Sequence, residues 1–299
     1  MRTDNIFGHG AAFIAYAIFG FNIIICKDLT SEGLIPPLGI FTLRSLVAGA
    51  LFWMVSMFQP REQVERKDYI KIFAASMLGF MTCQVTFLVG IPHITPMDCS
   101  ILTAMAPIYT MAVAAIAIKE PITFKKAGGV ALSFAGIIYL IVSRVTAPGG
   151  TAESSPFGIF MIILNSLSFS MYLGIFKPLI AKYSAVTFMK WIFLFSALVA
   201  APISMRGLIE VEWAAIPTKQ YAELAYLIIC ATFITYFLIP LAQKRIRPTL
   251  VSMYSYVQPI IAIAVSIAIG MDALTWQKAL ATVMVFAGVV IVSRSRSAH

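Results

Sequence analysis

Charged residues are scarce in this chain of 299 residues: only 12% are Asp, Glu, Lys or Arg, whereas 60% are hydrophobic and the mean hydropathy is +0.89. Soluble domains usually carry about 25% charged residues. So few charges cannot solvate the surface of a soluble globule this apolar. The shortage excludes an ordinary soluble protein and favours a chain whose solvent is the lipid bilayer, where only helices or closed barrels satisfy the backbone.

Groups that often carry catalysis or bind metals are also rare. The four cysteines have no paired spacing, which predicts free thiols packed among helices rather than a disulfide framework or a metal site. The three histidines, His9, His93 and His299, fall outside the interiors of the long apolar runs. There is no HExxH, GxSxG or P-loop motif. We therefore expect no cofactor and no metal, and an intramembrane enzyme is the least supported alternative.

Long apolar runs are abundant, and strand-like alternation is absent. A membrane-spanning helix needs about 20 mostly apolar residues. Runs of this kind lie near residues 8–26, 35–58, 69–91, 96–118, 124–143, 157–176, 184–203, 222–243, 247–270 and 274–293. They predict an all-α membrane protein with about ten transmembrane helices. The first run lacks a small-residue cleavage pattern, so we interpret it as a retained helix rather than a secretory signal.

The basic residues are distributed unevenly between the two sides that these spans define. Fifteen fall on the side of the N-terminus and five on the other, with Arg44 and Lys190 inside spans. By the positive-inside rule, both termini are cytoplasmic in a cell (inner) membrane. The net charge of +9 is thus mostly a topology signal, and no nucleic-acid partner is expected.

The chain repeats itself after about half its length. At an offset of 152 residues, Pro96 meets Pro248, Pro107 meets Pro259, and Phe134-Ala135-Gly136 meets Phe286-Ala287-Gly288; the first helices align at an offset of 150. Residues 1–146 and 157–299 are therefore predicted to be two five-helix repeats, joined by a linker over 147–156 rich in Pro, Gly and Ser. Because five is odd, the second repeat is predicted to enter the membrane from the opposite side, an architecture recurrent in secondary transporters.

The same residues carry a family resemblance. Pro107, the turn Glu120-Pro121-Ile122-Thr123 and the stretch "GGVALSFAGIIYL" resemble the EamA domain of the drug/metabolite transporter superfamily, and the second copy, Pro259 to "VFAGVVIV", resembles it again. The resemblance implies a ten-helix permease that exports small metabolites, commonly amino acids. It also implies a central cavity built mainly from the first, third and fourth helices of each repeat. Asp272-Ala273 departs from the Glu-Pro that the family often has at this turn.

Polar residues within apolar spans are candidates for lining that cavity. A mid-span proline frees a backbone carbonyl one turn earlier, and a polar stripe surrounds both mid-span prolines. Gln84 coincides with Tyr236 at offset 152, and Asn22 coincides with Tyr172 at offset 150. The candidates are Asn22, Gln84, Ser100, Thr103, Pro107, Asn165, Ser168, Tyr172, Tyr236, Ser252, Ser255, Tyr256 and Pro259. The alternative for each is contact between helices, which small and polar residues also serve.

Three charged positions have competing interpretations. Glu120 and Asp272 are candidate gating residues on opposite faces, or acids that favour the start of the next helix. Arg44 lies about nine residues into its span, where a charge is costly. We expect it to snorkel or to pair with an acid such as Asp98, with contact to a substrate carboxylate as the alternative.

The expected function is export of a small organic metabolite by alternating access, with an amino acid as the favoured substrate. The predicted lining is neutral and partly aromatic, which favours zwitterionic or amphipathic substrates over phosphates. Efflux of hydrophobic cations is the alternative within the transporters, and it would favour an acid inside the membrane, which the spans lack.

Overall fold

The architecture comes from a computed structural model, which describes residues 2–106, 108–109, 124–145, 154–245 and 254–294. Within them the chain is helical and contains no strand. Helical segments overlap all ten predicted runs, and we number them α1 to α10. They are α1 Arg2–Ser31, α2 Pro37–Met57, α3 Arg66–Ala75 continued by Cys83–Gly90, α4 Pro96–Thr103, α5 Phe124–Val145, α6 Pro156–Ile175, α7 Ala185–Ile209, α8 Thr218–Ile228 continued by Thr235–Arg245, α9 Val257–Ala268 and α10 Trp276–Arg294.

Five of these helices are long and apolar enough to cross a membrane: Ile6–Ser31, Pro37–Met57, Arg66–His93, Ala185–Ile209 and Thr218–Ala242. The other apolar helices are shorter over the described residues. Large apolar side chains such as Phe13, Leu198 and Ile203 are at least half exposed, which lipid accommodates and water does not. The predicted all-α membrane protein is confirmed.

Several helices begin where a Ser or Thr precedes a proline or another helix-starting residue. Thr95 accepts a hydrogen bond from the backbone N–H of Asp98 at 3.2 Å, and Ser155 accepts one from Gly158 at 3.0 Å. Each is followed by a proline at the first helical position, where no backbone donor is needed. The starts of α4 and α6 are thus set by local sequence.

Two helices contain π-helical turns at matching places. Ser76–Thr82 interrupts α3, and Ile229–Ile234 interrupts α8. Single π-helical turns in α-helices frequently mark functional positions. Each turn ends two residues before a polar residue, Gln84 in α3 and Tyr236 in α8.

The helix packing is unchanged when the first five helices are exchanged for the last five. Helix α1 packs on α8 and α9, and α6 packs on α3 and α4; α2 packs on α7, α4 on α9 and α5 on α10. Helices α5 and α10 cross closely where both have glycine. A Cβ atom at Gly136 would lie 3.1 Å from Ala281 O, and one at Gly288 would lie 2.4 Å from Gly129 O.

We call the two ends of the helix bundle the N-terminal face and the linker face, after the chain segments that lie there. The N-terminal face carries the α2–α3 loop, the short helix Lys177–Lys182 and the end of α8. The linker face carries Ser154, the ends of α1 and α3, and the α9–α10 turn.

Candidate functional site

A chain of hydrogen bonds starts from a fully buried arginine. The side chain of Arg44, in α2, is 0% exposed. Its Nε donates to Thr232 Oγ1 and its Nη1 donates to Gln84 Oε1, both at 2.8 Å. Gln84 then donates from Nε2 to the hydroxyl oxygen of Tyr236 at 2.9 Å. Helices α2, α3 and α8 are joined by these three bonds.

The π-helical turn of α8 prepares Thr232 to receive the guanidinium. Its hydroxyl donates to Leu227 O, five residues earlier, at 2.7 Å. A threonine hydroxyl has one proton and two acceptor lone pairs, so its oxygen remains an acceptor for Arg44. The π-helical geometry and the arginine contact therefore support each other.

The environment of Arg44 corrects an expectation drawn from the sequence. Within the described ranges no ion pair joins Arg44 to a carboxylate, and its hydrogen-bond partners are neutral. Asp98 accepts from Ser154 Oγ at 2.6 Å instead. Snorkelling and pairing with Asp98 are both wrong, because α2 packs against α3, α7 and α8 and turns this residue into the protein.

An aromatic crevice lies beside Tyr236, towards the N-terminal face. It is narrow: its cavity volume is about 20 Å³, which is room for about one water molecule. The lining residues are Phe19, Phe169, Tyr172, Ile180, Met189, Tyr236, Ile239 and Pro240. They come from α1, α6, α7, α8 and the short helix Lys177–Lys182, so the second helix of one repeat contributes beside the first and third. The lining is mostly apolar, and the crevice has to widen before a metabolite can enter it.

One of the two candidate pairs predicted from the repeat meets at this centre, and the members of the other pair lie apart in the contacts that the structure gives. Gln84 and Tyr236, equivalent by the 152-residue offset, are bonded directly to each other. Tyr172 lines the crevice, and its ring packs where a side chain at Gly79 would lie, 2.1 Å from Tyr172 Cδ2. Asn22 is buried, and its Oδ1 accepts from the Cys26 thiol at 3.5 Å.

Two candidates on α6 bond to the backbone of α3. Asn165 donates from Nδ2 to Cys83 O at 2.7 Å, and Ser168 donates to Leu78 O at 2.5 Å. The carbonyls that they satisfy lie in or next to the π-helical turn of α3. These contacts favour the alternative of polar packing between helices for both residues.

The stripe around the mid-span prolines is partly outside the described residues. Ser100 and Thr103 donate within their own helix, to Pro96 O at 2.6 Å and to Ser100 O at 3.1 Å. Helix α4 gives way to a turn at Ala104–Met105, just before position 107. Pro107 and Ser252 lie outside the described residues.

The second proline of the pair is described. Pro259 is buried near the start of α9, and a turn at Ser255–Tyr256 precedes it by one helical turn. Ser255 and Tyr256 are half-buried, and the Tyr256 ring lies 6.0 Å from that of Phe286. A proline at 259 cannot donate to the carbonyl of Ser255, which explains the interruption there.

Asp272 ties the two halves of the chain together at the linker face. Its Oδ2 accepts from Met97 N, at the start of α4, at 3.2 Å. Its Oδ1 accepts from Ala273 N at 2.9 Å and forms an ion pair with the buried Lys278. Glu120, the equivalent acid, lies outside the described residues.

Further contacts close the linker face. Lys27 donates to Pro92 O at 2.7 Å. Ser154 Oγ accepts a hydrogen bond from Thr95 N at 3.0 Å and donates one to Asp98 Oδ2. We call this set, with Asp272 and Met97, the linker-face seal. The crevice lies towards the opposite face, so the seal separates it from the linker side.

An ionic cluster joins two loops at the N-terminal face. Lys182 donates to Asp68 Oδ2 at 2.6 Å and also to Glu65, and Tyr183 donates to Asp68 Oδ2 at 2.7 Å. The hydrogen bonds to Asp68 and then to Glu65 raise the pKa of Lys182 above its usual range. Hydrogen bonding from Lys182 is also the main reason that the pKa of Glu65 is lowered.

The sequence predicted a partly aromatic lining but did not name its phenylalanines as candidates. Phe19 and Phe169 coincide at the 150-residue offset that aligns the first helices, whereas Met189 is one apolar residue among many. A signal did exist for Thr232, which stands four residues before Tyr236 and therefore shares its helical face.

Known proteins share both the sequence pattern and the fold. The model of the EamA-like transporter family matches residues 6–142 and 156–294. An uncharacterized transporter of Archaeoglobus fulgidus is 26% identical over 151 residues, which span 50% of this chain and 51% of that protein. The uncharacterized transporter YcxC of Bacillus subtilis is 23% identical over 295 residues, 94% of this chain and 90% of the relative.

A protein crystal structure with 15% sequence identity superposes with a TM-score of 0.63 and covers 94% of this chain and 98% of its own. At that identity the likeness establishes the fold alone.

Proposed function

Because the chain belongs to the EamA-like transporter family, we propose that it exports a small organic metabolite, with an amino acid as the favoured substrate, by alternating access. The observation that carries the proposal is the aromatic crevice beside Tyr236, which ends at a buried polar centre and is separated from the linker face by the seal. A site reachable from one side only is what one state of an alternating-access carrier requires.

The packing supports two inverted repeats as the basis of the alternation. Exchanging α1–α5 for α6–α10 maps each major helix contact onto another one or onto itself, as for α2–α7 and α5–α10. The bond between Gln84 and Tyr236 joins equivalent positions of the two repeats. In such an architecture the opposite state arises when each repeat takes the conformation that the other now holds.

The proposed orientation places the termini in the cytoplasm and the linker face outside. The crevice would then open inward, ready to load a metabolite for export. Cysteines introduced at the exposed positions Glu210, on the linker face, and Gln59, on the N-terminal face, provide a matched pair. An impermeant maleimide added to intact cells should label the first and spare the second. Labelling of Gln59→Cys alone would reverse the orientation.

Transport is tested with purified protein in proteoliposomes. Amino acids, amines and sugar phosphates are first screened by thermal shift, since a ligand at 100 times its dissociation constant stabilises by about 2.7 kcal/mol. Binders are then loaded into vesicles, and their counterflow is measured. No binding and no counterflow across the panel, with folded protein, would refute the proposal.

A bulky residue placed in the crevice tests whether the substrate binds there. Met189→Trp should fill the space and lower counterflow about tenfold or more, which corresponds to about 1.4 kcal/mol or more in substrate binding. Leu198→Trp places the same side chain on the same helix at a position that is 61% exposed. That variant should transport normally, so an equal loss in both would point to a general packing effect.

A further inference from the structure

The hydrogen-bond chain that begins at Arg44 has a fixed direction. A guanidinium has donors only, so it must face the carbonyl oxygen of the Gln84 side chain. The amide nitrogen of Gln84 therefore faces Tyr236 and donates to its oxygen. The proton of the Tyr236 hydroxyl is thereby left to be donated elsewhere.

The chain ends at a residue that lines the crevice. Tyr236 is one of the lining residues, and within the described ranges its hydroxyl has no hydrogen-bond partner besides Gln84. A buried donor without an acceptor is unfavourable. A ligand that brings an acceptor to this point would relieve the deficit.

The electrostatics favour an anionic acceptor. Arg44 carries a buried positive charge whose described hydrogen-bond partners are neutral oxygens, and none of the lining residues is an acid. In a medium of low dielectric such a charge attracts an anion and repels a cation over several ångströms. A cationic amine has neither an acceptor for Tyr236 nor an acid to pair with.

We infer that Tyr236 binds the carboxylate of the transported molecule, and that Arg44 and Gln84 are positioning residues that orient and polarise its hydroxyl. The inference rests on the proposed function and deepens it by naming the substrate class: a small carboxylate with an apolar body that lies against Phe19, Phe169 and Met189. Amines and carboxamides of the same shape are rejected. Thr232 holds Arg44 in place by its second hydrogen bond.

Four ligands with a shared branched skeleton separate the chemical groups. Leucine and 4-methylpentanoate carry the carboxylate, with and without the amino group. Leucinamide and 3-methylbutylamine lack it. Binding to the purified full-length protein is measured by thermal shift and by calorimetry. The two carboxylates should bind about tenfold or more tightly than the other two, because a hydrogen bond to a charged group is the stronger kind.

Two variants test the direction of the chain. Tyr236→Phe removes the donor and should weaken carboxylate binding about 10- to 100-fold, with little effect on the amine. Gln84→Glu keeps an acceptor for Arg44, but the new carboxylate draws the Tyr236 proton away from the crevice. It should therefore lose the carboxylate preference although the tyrosine is intact. Tyr16→Phe, at a buried tyrosine outside the lining, is the matched control.

The outcomes separate this inference from the proposed function. Binding or counterflow of the amine or the amide as strong as that of the carboxylates would overturn the inference and leave the transporter proposal standing. So would full carboxylate preference in both variants. Failure of all four ligands to bind the folded wild-type protein would also overturn it, whereas the broader screen in proteoliposomes decides whether the protein is a transporter at all.

Discussion

Gln84 is the residue on which the polar centre depends, because it satisfies a charged donor on one side and a phenol on the other. Replacing it with leucine leaves the buried Arg44 with one hydrogen bond. We expect Gln84→Leu to destabilise the protein by about 2–3 kcal/mol, as removal of a partner from a buried charged group does. The midpoint of thermal unfolding in detergent measures this.

Arg44→Met is the informative comparison. It removes the buried charge itself and leaves only the neutral oxygens of Gln84 and Thr232 without this donor, which costs less than a buried charge that loses its acceptor. Its loss of stability should therefore be smaller than that of Gln84→Leu. A larger loss would mean that the charge stabilises the fold directly, rather than being retained for binding.

The repeat pointed to two residues that the structure joins, and their role in lining a substrate cavity stays a prediction. The 152-residue offset singled out Gln84 and Tyr236, and the structure bonds them. The depth of Arg44 was evident from the sequence, but the direction in which it points was not. That direction depends on which helices surround α2, and no single span encodes its neighbours.

The crossing of α5 and α10 is controlled by two glycines at equivalent positions. A Cβ atom at Gly288 would lie 2.2 Å from Ser133 Oγ and 2.4 Å from Gly129 O, much closer than real contacts. Gly288→Ala should therefore push the helices apart and destabilise by about 1–3 kcal/mol. Thermal unfolding in detergent measures the change.

Gly128 is the matched control for that prediction, because it lies in the same helix pair with nothing within 4 Å of the added Cβ. Gly128→Ala should be neutral or slightly stabilising, since alanine favours the helix more than glycine does. Equal losses in the two variants would show that the close approach at the crossing is not the cause.

The ionic cluster at the N-terminal face should make stability depend on pH. The pKa of Lys182 is raised in the folded state, so its contribution is present below the ordinary lysine pKa of about 10.4 and is lost as the pH rises through the raised value. The pKa of Glu65 is lowered, so its contribution is lost only as the pH falls below about 4.3.

We therefore predict that, as the pH rises above about 10.4 (the ordinary lysine pKa), the unfolding midpoint of the wild type falls more steeply than that of Lys182→Met. Lys125→Met, at an exposed lysine, should follow the wild type. Parallel curves for wild type and Lys182→Met would show that this cluster is not linked to folding.

Helix existence was predictable because long apolar runs and Ser/Thr-Pro starts are local signals. The π-helical turns at Ser76–Thr82 and Ile229–Ile234 were not, since their sequences are as apolar as their surroundings. They depend on side chains such as Thr232, whose hydroxyl closes on a carbonyl five residues earlier. The helix pairing likewise follows from non-local contacts, although the repeat limits it to symmetric solutions.

At the scale of the whole molecule, hydrogen bonds among the described residues close the linker face. The linker-face seal links α1 to the end of α3, Ser154 to α4, and α4 to the α9–α10 turn. The crevice extends towards the N-terminal face. In an alternating-access protein the two states differ by only a few kcal/mol, so a seal of several hydrogen bonds decides which state predominates.

Asp272→Asn tests this at one point. The change removes the charge that pairs with Lys278 and weakens the acceptor for Met97 N, while preserving the size of the side chain. We expect the population to shift towards a state open at the linker face.

Cys99, fully buried two residues after Met97, is a native reporter once the other three cysteines are replaced by alanine. Its rate of modification by a maleimide should rise in Asp272→Asn. Glu210→Gln breaks an exposed ion pair with Arg206 on the same face and should leave the rate unchanged. An unaltered rate in Asp272→Asn, or the same increase in both variants, would show that Asp272 does not keep the linker face closed and only favours the start of α10.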